Sequence, residues 1–350
     1  MRPSPDHTNT GAEPVDTARI DTTDVLPDSE LRRLLRDMQS KFGWADSLPE
    51  FEDIEVWESR TSFLYKVTAP GAEPAVLKVG KDWSVEKAVE VHSDLTRLDE
   101  LFHATDETSL RVPRVLGWHD SPPCVCFAYV EGEDLSKRLS RREWYLSPEV
   151  TQAMADAGAA LGSFHNSNMV DPGDPAVGID MDVIRARLEA MAKKVLLGPA
   201  LVDVDLTGMI SRRYGDFAPY NIRMGADGSL YLLDQPSMLS FAPVHRDVVY
   251  FMYRVERRLG RYETGREDEM REVQDRLEQT FLDAYSRTGP ASLSSPGDRT
   301  LFAVYLSHKH LRTARKRFRQ RRIVEVPGYL RMSVQWRQRA RALAAERDSR

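Results

Sequence analysis

The sequence predicts an α+β chain in two parts: a small lobe with an antiparallel sheet and one long helix, then a larger, mainly helical lobe. Three observations predict it. At 350 residues the chain exceeds the size at which a single hydrophobic core keeps growing, so it should divide. Between Phe51 and Val130, β-like runs alternate with one long helical pattern. Beyond Glu131 the apolar positions recur at helical spacing through most of the remaining chain.

Taken in order, residues 1–27 are polar, dotted with proline and free of periodicity, which reads as a disordered tail. Asp28-Ser29 opens a short amphipathic helix with Leu31, Leu34, Leu35 and Met38 on one face and Gly43 near its end. With that helix the small lobe spans 28–130. Its β-like runs are Ser62–Ala69, Ala75–Gly80 and Cys124–Val130, and its helical pattern runs from Ser84 to about Phe102. Glu131-Gly-Glu-Asp-Leu135 breaks the strand pattern as a turn would, and 131–350 forms the helical lobe. There Thr151–Asn166 spaces Met154, Ala157, Leu161 and Phe164 for burial. Asn221–Met224 and Leu230–Asp234 flank Ala226-Asp-Gly228, a hairpin signal that sets Asn221 and Asp234 at strand ends on one side of a ribbon. From Val244 the patterns are helical, broken at Gly289–Asp298 by a Gly/Pro/Ser-rich loop.

Composition narrows the class. Apolar residues make up 41% of the chain, enough to fill a core. No run approaches the roughly 18 apolar residues of a membrane span, and Met1–Leu48 has no apolar signal core, so a cytoplasmic protein without a transmembrane segment is expected. Cys124 and Cys126 lie two apart in an apolar run, on one strand face, as small core residues. A net charge of −5 conceals an asymmetry: residues 1–50 hold six Lys/Arg against ten Asp/Glu, whereas Lys309–Arg322 holds eight Lys/Arg and no acid.

The chemistry is carried by three runs in one order: Ala75-Val-Leu-Lys-Val-Gly80, Tyr214-Gly-Asp-Phe-Ala-Pro-Tyr-Asn221 and Leu230-Tyr-Leu-Leu-Asp234. A strand lysine, an aspartate with an asparagine five positions on, and a strand-end aspartate are the parts needed to hold a nucleoside triphosphate with Mg2+ and move its terminal phosphoryl group. Lys78, in an apolar strand, needs anionic partners, which the α/β-phosphates and a helix glutamate would supply. Asp216 is the candidate base for the proton of an attacking hydroxyl. Asn221 and Asp234 offer the hard oxygen ligands that Mg2+ prefers. The bland readings are a solvated strand lysine, a turn aspartate satisfying backbone donors and hairpin-end caps.

These runs resemble those of the aminoglycoside phosphotransferase and choline kinase group, whose bilobal fold is similar to that of protein kinases. The resemblance covers about Val56 to Tyr253. Tyr214-Gly215-Asp216 through Asn221 resembles the family's His-Gly-Asp-x-x-x-x-Asn, Asp234 its strand-end metal aspartate, and the neighbourhood of Pro243 and Asp247 its Pro-x-x-Asp. Leu161-Gly-Ser-Phe-His165 and Tyr129-Val-Glu-Gly-Glu133 match two further segments. The resemblance implies ATP as the phosphoryl donor, Mg2+, and a partner for Lys78 from the Ser84–Phe102 helix, Glu90 or, one turn earlier, Glu86. It also implies backbone contacts to the base near Ala128 and Tyr129, phosphate contacts from Ser59, Thr61 and Ser62, and a bracing role for Asp247.

Two departures stand out. Tyr214 replaces the family's usual architectural histidine, and the loop Glu58-Ser-Arg-Thr-Ser62 has no glycine, so it approaches phosphates less closely. Only twelve residues separate Asp234 from Asp247, too few for a peptide platform, so the acceptor should be a small-molecule hydroxyl: an antibiotic, sugar, amino alcohol or related metabolite. In Glu263–Glu278 seven acids are interleaved with arginines, the pattern of a solvated helix face. Near the C-terminus Leu301, Val304, Tyr305, His308, Leu311, Ala314 and Phe318 mark an amphipathic helix with a cationic opposite face. That face is either solvated or turned to an anionic substrate or surface. The competing functional reading is therefore a kinase-like nucleotide-binding protein with little turnover, which holds an anionic partner through this helix.

Overall fold

The computed structural model describes residues 26–42, 54–59, 61–69, 71–171, 179–196, 206, 209–236, 240–259 and 267–348. The tail expected at 1–27 therefore lies almost wholly outside the described residues, as do Gly43, Arg60 and the start of the acidic run at Glu263. The chain divides into two compact units, one of residues up to Asp99 with Val112–Glu131, the other of Glu100–Arg111 with Gly132–Arg350. The expected α+β class is the observed one.

In the first unit α1 (Asp28–Phe42) is followed by β1 (Ile54–Glu58), β2 (Ser62–Val67), β3 (Ala75–Gly80) and α2 (Val85–His103), whose last residues pass into the second unit. There β4 (Leu110–Arg111) precedes the return to the first unit as β5 (Val115–Asp120) and β6 (Pro123–Ala128). The sheet is antiparallel throughout, in the order β1-β2-β3-β6-β5. Alternation along β2 and β3 sends Phe63, Tyr65, Val67, Leu77 and Val79 to one face, where Leu31, Leu34, Leu35 and Met38 of α1 cover them together with Cys124 and Cys126. Both thiols are free and buried, and burial pushes that of Cys124 up to about 12, which makes it an inert core residue. Because side chains alternate, Lys78 stands on the sheet face opposite α1.

The second unit contains β7 (Gly132–Asp134), α3 (Leu135–Arg138), α4 (Pro148–Ser167), α5 (Met181–Leu196), β8 (Ile210–Arg212), β9 (Ile222–Gly225), β10 (Leu230–Leu232) and β11 (Phe241–Pro243). The helices α6 (His245–Arg258), α7 (Glu267–Thr288), α8 (Pro296–Arg319) and α9 (Val326–Asp348) follow. The hairpin read at Ala226-Asp-Gly228 is present: Leu230 pairs with Met224 and Leu232 with Ile222, with Gly228 at φ 83° taking the left-handed turn position. β7 and β4 extend this ribbon on its two sides.

The basic helix departs from its expected form. Leu301, Val304 and Ala314 are buried, yet so are Phe302, Ala303, Leu306 and His310, and Phe318 is 64% exposed. The reason is α9, which packs along α8 and shares hydrogen bonds from Ser307 Oγ to the Ser333 carbonyl (2.7 Å) and from Ser333 Oγ to the Ser307 carbonyl (3.0 Å). Arg317, expected on the cationic face, is buried and ion-paired with Glu325 at 3.2 Å. His310 donates or accepts at 2.6 Å with Glu256 Oε2, a buried pair supplied by α6 and invisible to sequence spacing.

Candidate active site

The loop between β8 and β9 is shaped by its neighbours in sequence. Gly215 sits at φ 92°, a conformation that disfavours side chains, and lets the chain turn between two buried rings. Tyr214 and Phe217 pack edge to face at 5.1 Å, Phe164 of α4 meets Tyr214 at 5.1 Å, and Phe251 of α6 meets Phe217 at 5.4 Å. Asp216, between these anchors, is held only partly buried. Pro219 then starts a single 3-10 turn ending at Asn221, whose N–H donates to the Ala218 carbonyl at 2.9 Å.

Asp247, in the first turn of α6, braces this loop from behind. Its Oδ2 accepts the Tyr214 N–H at 2.7 Å and its Oδ1 the Gly215 N–H at 3.3 Å, while His165 Nε2 lies 3.4 Å away and Arg213 Nε 3.7 Å away. Burial alone would raise the Asp247 carboxyl, but the His165 hydrogen bond and the Arg213 and His165 charges outweigh it, so the group sits below the usual carboxylate range. His165, the end of the Leu161–His165 segment, is fixed in turn by the Tyr285 hydroxyl at 2.8 Å.

Asp216 Oδ1 accepts two phenolic hydroxyls, from Tyr220 and, at 2.6 Å, from Tyr250 of α6. Arg254 Nη2, one turn further along α6, donates to the Tyr250 oxygen at 2.7 Å. Burial pushes the Tyr250 hydroxyl up to about 12 and raises Tyr220 further, so both remain proton donors near neutral pH. Asp216 Oδ2 makes no hydrogen bond among the described residues. The two oxygens are thus differentiated: one is occupied by tyrosines, the other is open to receive a proton.

Asn221 and Asp234 flank the open end of the hairpin, each one or two residues beyond its last strand pair, Ile222 with Leu232. Asn221 Nδ2 donates to the Asp216 carbonyl at 2.9 Å, leaving the amide oxygen for another partner, and the Leu233 N–H donates to the Asn221 carbonyl at 2.8 Å. The Tyr214 hydroxyl donates to the carbonyl of Asp234, and the Gln235 N–H donates to Asp234 Oδ1 at 3.1 Å. Tyr214 therefore ties the Tyr214–Asn221 loop to the strand end, an architectural part. An amide oxygen and a carboxylate at one ribbon end suit a hard cation such as Mg2+.

In the first unit the residues expected to face a nucleotide have the following surroundings. Glu90, expected to pair with Lys78, lies on the exposed side of α2 and is ion-paired with Lys87 at 2.9 Å; the buried stripe runs through Ala88, Val91, Leu95 and Leu98. Glu86 is exposed as well, its carboxyl lowered by the Ser84 hydrogen bond at the helix start. Lys78 is half buried, with Nζ 6.0 Å from the centre of the Trp83 ring. The hydroxyls of Ser59 and Ser62 meet each other at 2.8 Å, and Ser59 Oγ accepts the N–H groups of Ser62 (2.9 Å) and Thr61 (3.3 Å). Ser59 thus caps this turn, taking the N–H groups of Thr61 and Ser62 from within it. The Ala128 and Tyr129 N–H groups are likewise committed, to the carbonyls of Arg114 (2.9 Å) and Pro74 (2.7 Å), so neither is free to donate to a base.

Sequence reasoning missed Tyr220, Tyr250 and Arg254. Tyr220 lies inside the Asp216–Asn221 run, and Tyr250 and Arg254 stand four residues apart on the helix that Asp247 begins, so helical spacing from Asp247 was the available signal.

No protein-family model matches the chain, and no curated protein matches it. Solved structures do resemble it. An amicoumacin kinase in complex with AMP-PNP, Ca2+ and Ami aligns at 12% identity over 89% of this chain and 96% of its own, with a TM-score of 0.49. A choline kinase from Cryptosporidium parvum Iowa II aligns at 12% identity over 90% and 97%, also with a TM-score of 0.49. An aminoglycoside phosphotransferase from Alicyclobacillus acidocaldarius subsp. acidocaldarius DSM 446 gives 11% identity, 87% and 96% coverage and a TM-score of 0.47. These neighbours are small-molecule phosphotransferases of the group that the sequence resembles. The chemical assignment itself rests on the chain's own residues.

Proposed function

We propose that the protein is a Mg2+-dependent phosphotransferase that moves the γ-phosphate of ATP to a hydroxyl of a small molecule. The observation that carries this reading is the Asp216 carboxylate, held on Oδ1 by two tyrosine hydroxyls and open on Oδ2, joined through one hydrogen-bonded loop to Asn221 and Asp234. Asp216 Oδ2 takes the proton of the acceptor hydroxyl as its oxygen bonds to the γ-phosphorus; the bridging P–O bond breaks and ADP leaves. Asn221 and Asp234 would hold Mg2+, which when bound neutralises charge on the phosphate oxygens. Lys78 serves the α/β-phosphates. Tyr214 and Asp247 keep the loop in register and touch no reactant. A small acceptor is favoured because β11 occupies part of the short stretch between Asp234 and Asp247.

The test is nucleotide binding with and without Mg2+, followed by ADP release across a panel of alcohols, sugars, aminoglycosides and hydroxy acids. Asp216→Asn should still bind nucleotide while turnover falls by roughly two to four decades, the span of general-base catalysis. Nucleotide binding without turnover on any acceptor would favour the binding-protein reading; undiminished turnover in Asp216→Asn would remove Asp216 from its role.

A further inference from the structure

The reaction so far leaves a group of cations beside Asp216 without a task. Arg254 donates to Tyr250, the same hydroxyl that bonds Asp216, and its guanidinium lies 5.0 Å from the Tyr250 ring centre and 5.2 Å from that of Tyr220. From α8, Lys309 Nζ lies 4.7 Å from the Tyr250 ring centre and 5.4 Å from that of Tyr253. The aromatic rings thus hold two cations next to the base. Arg312 follows one turn later on α8, Arg246 opens α6, and Arg213 precedes the catalytic loop.

Apart from the Asp216 carboxylate, reached through the Tyr250 hydroxyl, Lys309 and Arg254 have little to offset their charge. Arg213 leans on Asp247, but among the described residues Lys309, Arg254 and Arg312 form no ion pair with a carboxylate. The buried Nε of Arg254 has no hydrogen-bond partner. Burial first, then the charges of Arg254, Arg312, Arg246 and Arg213, push the Lys309 ammonium down to about 7. Next to it on α8, burial with Arg312, Lys194 of α5, Arg315 and Lys309 pushes His308 down to about 4. Like charges gathered partly out of water raise the free energy of the folded chain unless an anion joins them. Cation–π contacts with Tyr250, Tyr253 and Tyr220 offset only part of this. Such an unfavourable arrangement beside a catalytic base is the mark of a binding site.

We infer that the acceptor is an anion, a hydroxylated compound whose carboxylate or phosphate is held by Lys309 and Arg254 while its hydroxyl lies at Asp216 Oδ2. This rests on the phosphotransferase reading of the same site and narrows its substrate class. It disfavours aminoglycosides and amino alcohols, whose ammonium groups the cluster would repel. The transfer is unchanged in its balance: the acceptor oxygen bonds to the γ-phosphorus of ATP, its proton passes to Asp216, and ADP departs.

The test titrates glucose 6-phosphate, gluconate, glucose and glucosamine into the full chain, saturated with Mg2+ and a non-hydrolysable ATP analogue. Occupying the nucleotide site separates an acceptor anion from the nucleotide's own phosphates. At least one of the two anions should bind about tenfold or more tightly than glucose or glucosamine, and the comparison between them separates phosphate from carboxylate. Lys309→Gln and Arg254→Gln should each lose about tenfold in anion affinity, and Lys309→Arg should lose less than about threefold. Arg312→Gln, at an exposed position that does not disturb the core, should lose about threefold and serves if the buried variants fail to fold. Near pH 8, anion binding should take up a proton in the parent, read as a dependence of the heat on buffer ionisation, and not in Lys309→Gln. Equal or tighter binding of glucose or glucosamine overturns the inference, as does unchanged anion affinity in the folded Gln variants. A chain that binds Mg2+ and nucleotide but prefers glucosamine keeps the phosphotransferase and loses the anionic acceptor. One that prefers anions but binds no nucleotide does the reverse.

Discussion

Two hydroxyls on one carboxylate oxygen fix the plane of the Asp216 carboxyl group and leave its second oxygen, the base of the proposed reaction, without a hydrogen bond among the described residues. Tyr250 differs from Tyr220 in that it also receives Arg254 Nη2 and so couples Asp216 to the neighbouring cation. Removing that hydroxyl deletes a hydrogen bond to a charged group, commonly worth about 1.5–3 kcal/mol, so Tyr250→Phe should lower turnover about tenfold to a hundredfold with nucleotide affinity unchanged. Steady-state kinetics on an identified acceptor checks it; a loss confined to nucleotide KM would place Tyr250 elsewhere. At this scale the sequence was half legible. That Asp216 and Asn221 share one loop and that Asn221 and Asp234 flank one hairpin could be read, because both arrangements are set by local geometry. Tyr250 and Arg254 could not, because they reach Asp216 from a helix more than thirty residues on, and a tyrosine on an apolar helix face looks like any core residue.

Elements were more legible than contacts. The spacing of Leu31, Leu34, Leu35 and Met38 specified α1, and the alternation in β2 and β3 specified the face it covers. Leu34 is fully buried in that layer, so Leu34→Ala should destabilise the first unit by about 2–5 kcal/mol, a transfer loss plus a cavity. Denaturant unfolding followed by the near-ultraviolet signal measures it, and a loss under about 1 kcal/mol would mean that α1 is only loosely docked. By contrast, β5 was not read as a strand, because Gly117 and the register shift between Val115 and Gly117 interrupt its alternation. Glu90 was placed on the wrong side of α2 for a related reason: a family pattern fixed its position in sequence, whereas Ala88, Val91, Leu95 and Leu98 decide which side is buried. The same weakness affected α8, where a period taken from one apolar stripe could not anticipate that α9 would bury a second.

For the whole molecule, the buried charges translate into a stability profile with opposing limbs. Asp247 is depressed below 3.8, so its contribution is present above that value and is lost as pH falls through its lower folded pKa. Glu278 is raised from 4.5 to about 7 by burial, with Asp275 and Glu256 adding to the rise and Arg339, at 3.2 Å, opposing it. Its folded form binds more protons than the unfolded chain between these values, so stability falls as pH rises from 4.5 to 7. Lys309 is lowered from 10.5 to about 7, which reverses the sign: the unfolded chain binds more protons there, and the penalty of the buried ammonium is relieved as pH rises from 7 to 10.5. Chemical unfolding without ligand across this range should therefore show a decline to near pH 7 and a recovery above it. Glu278→Gln should abolish the decline and add roughly 1–3 kcal/mol at neutral pH, while Lys309→Gln should abolish the recovery and leave the acid limb intact. A profile that still dips at neutral pH in the Glu278→Gln, Lys309→Gln double variant would show that other groups set it, and the burial of these two charges would then have no energetic consequence of the size inferred.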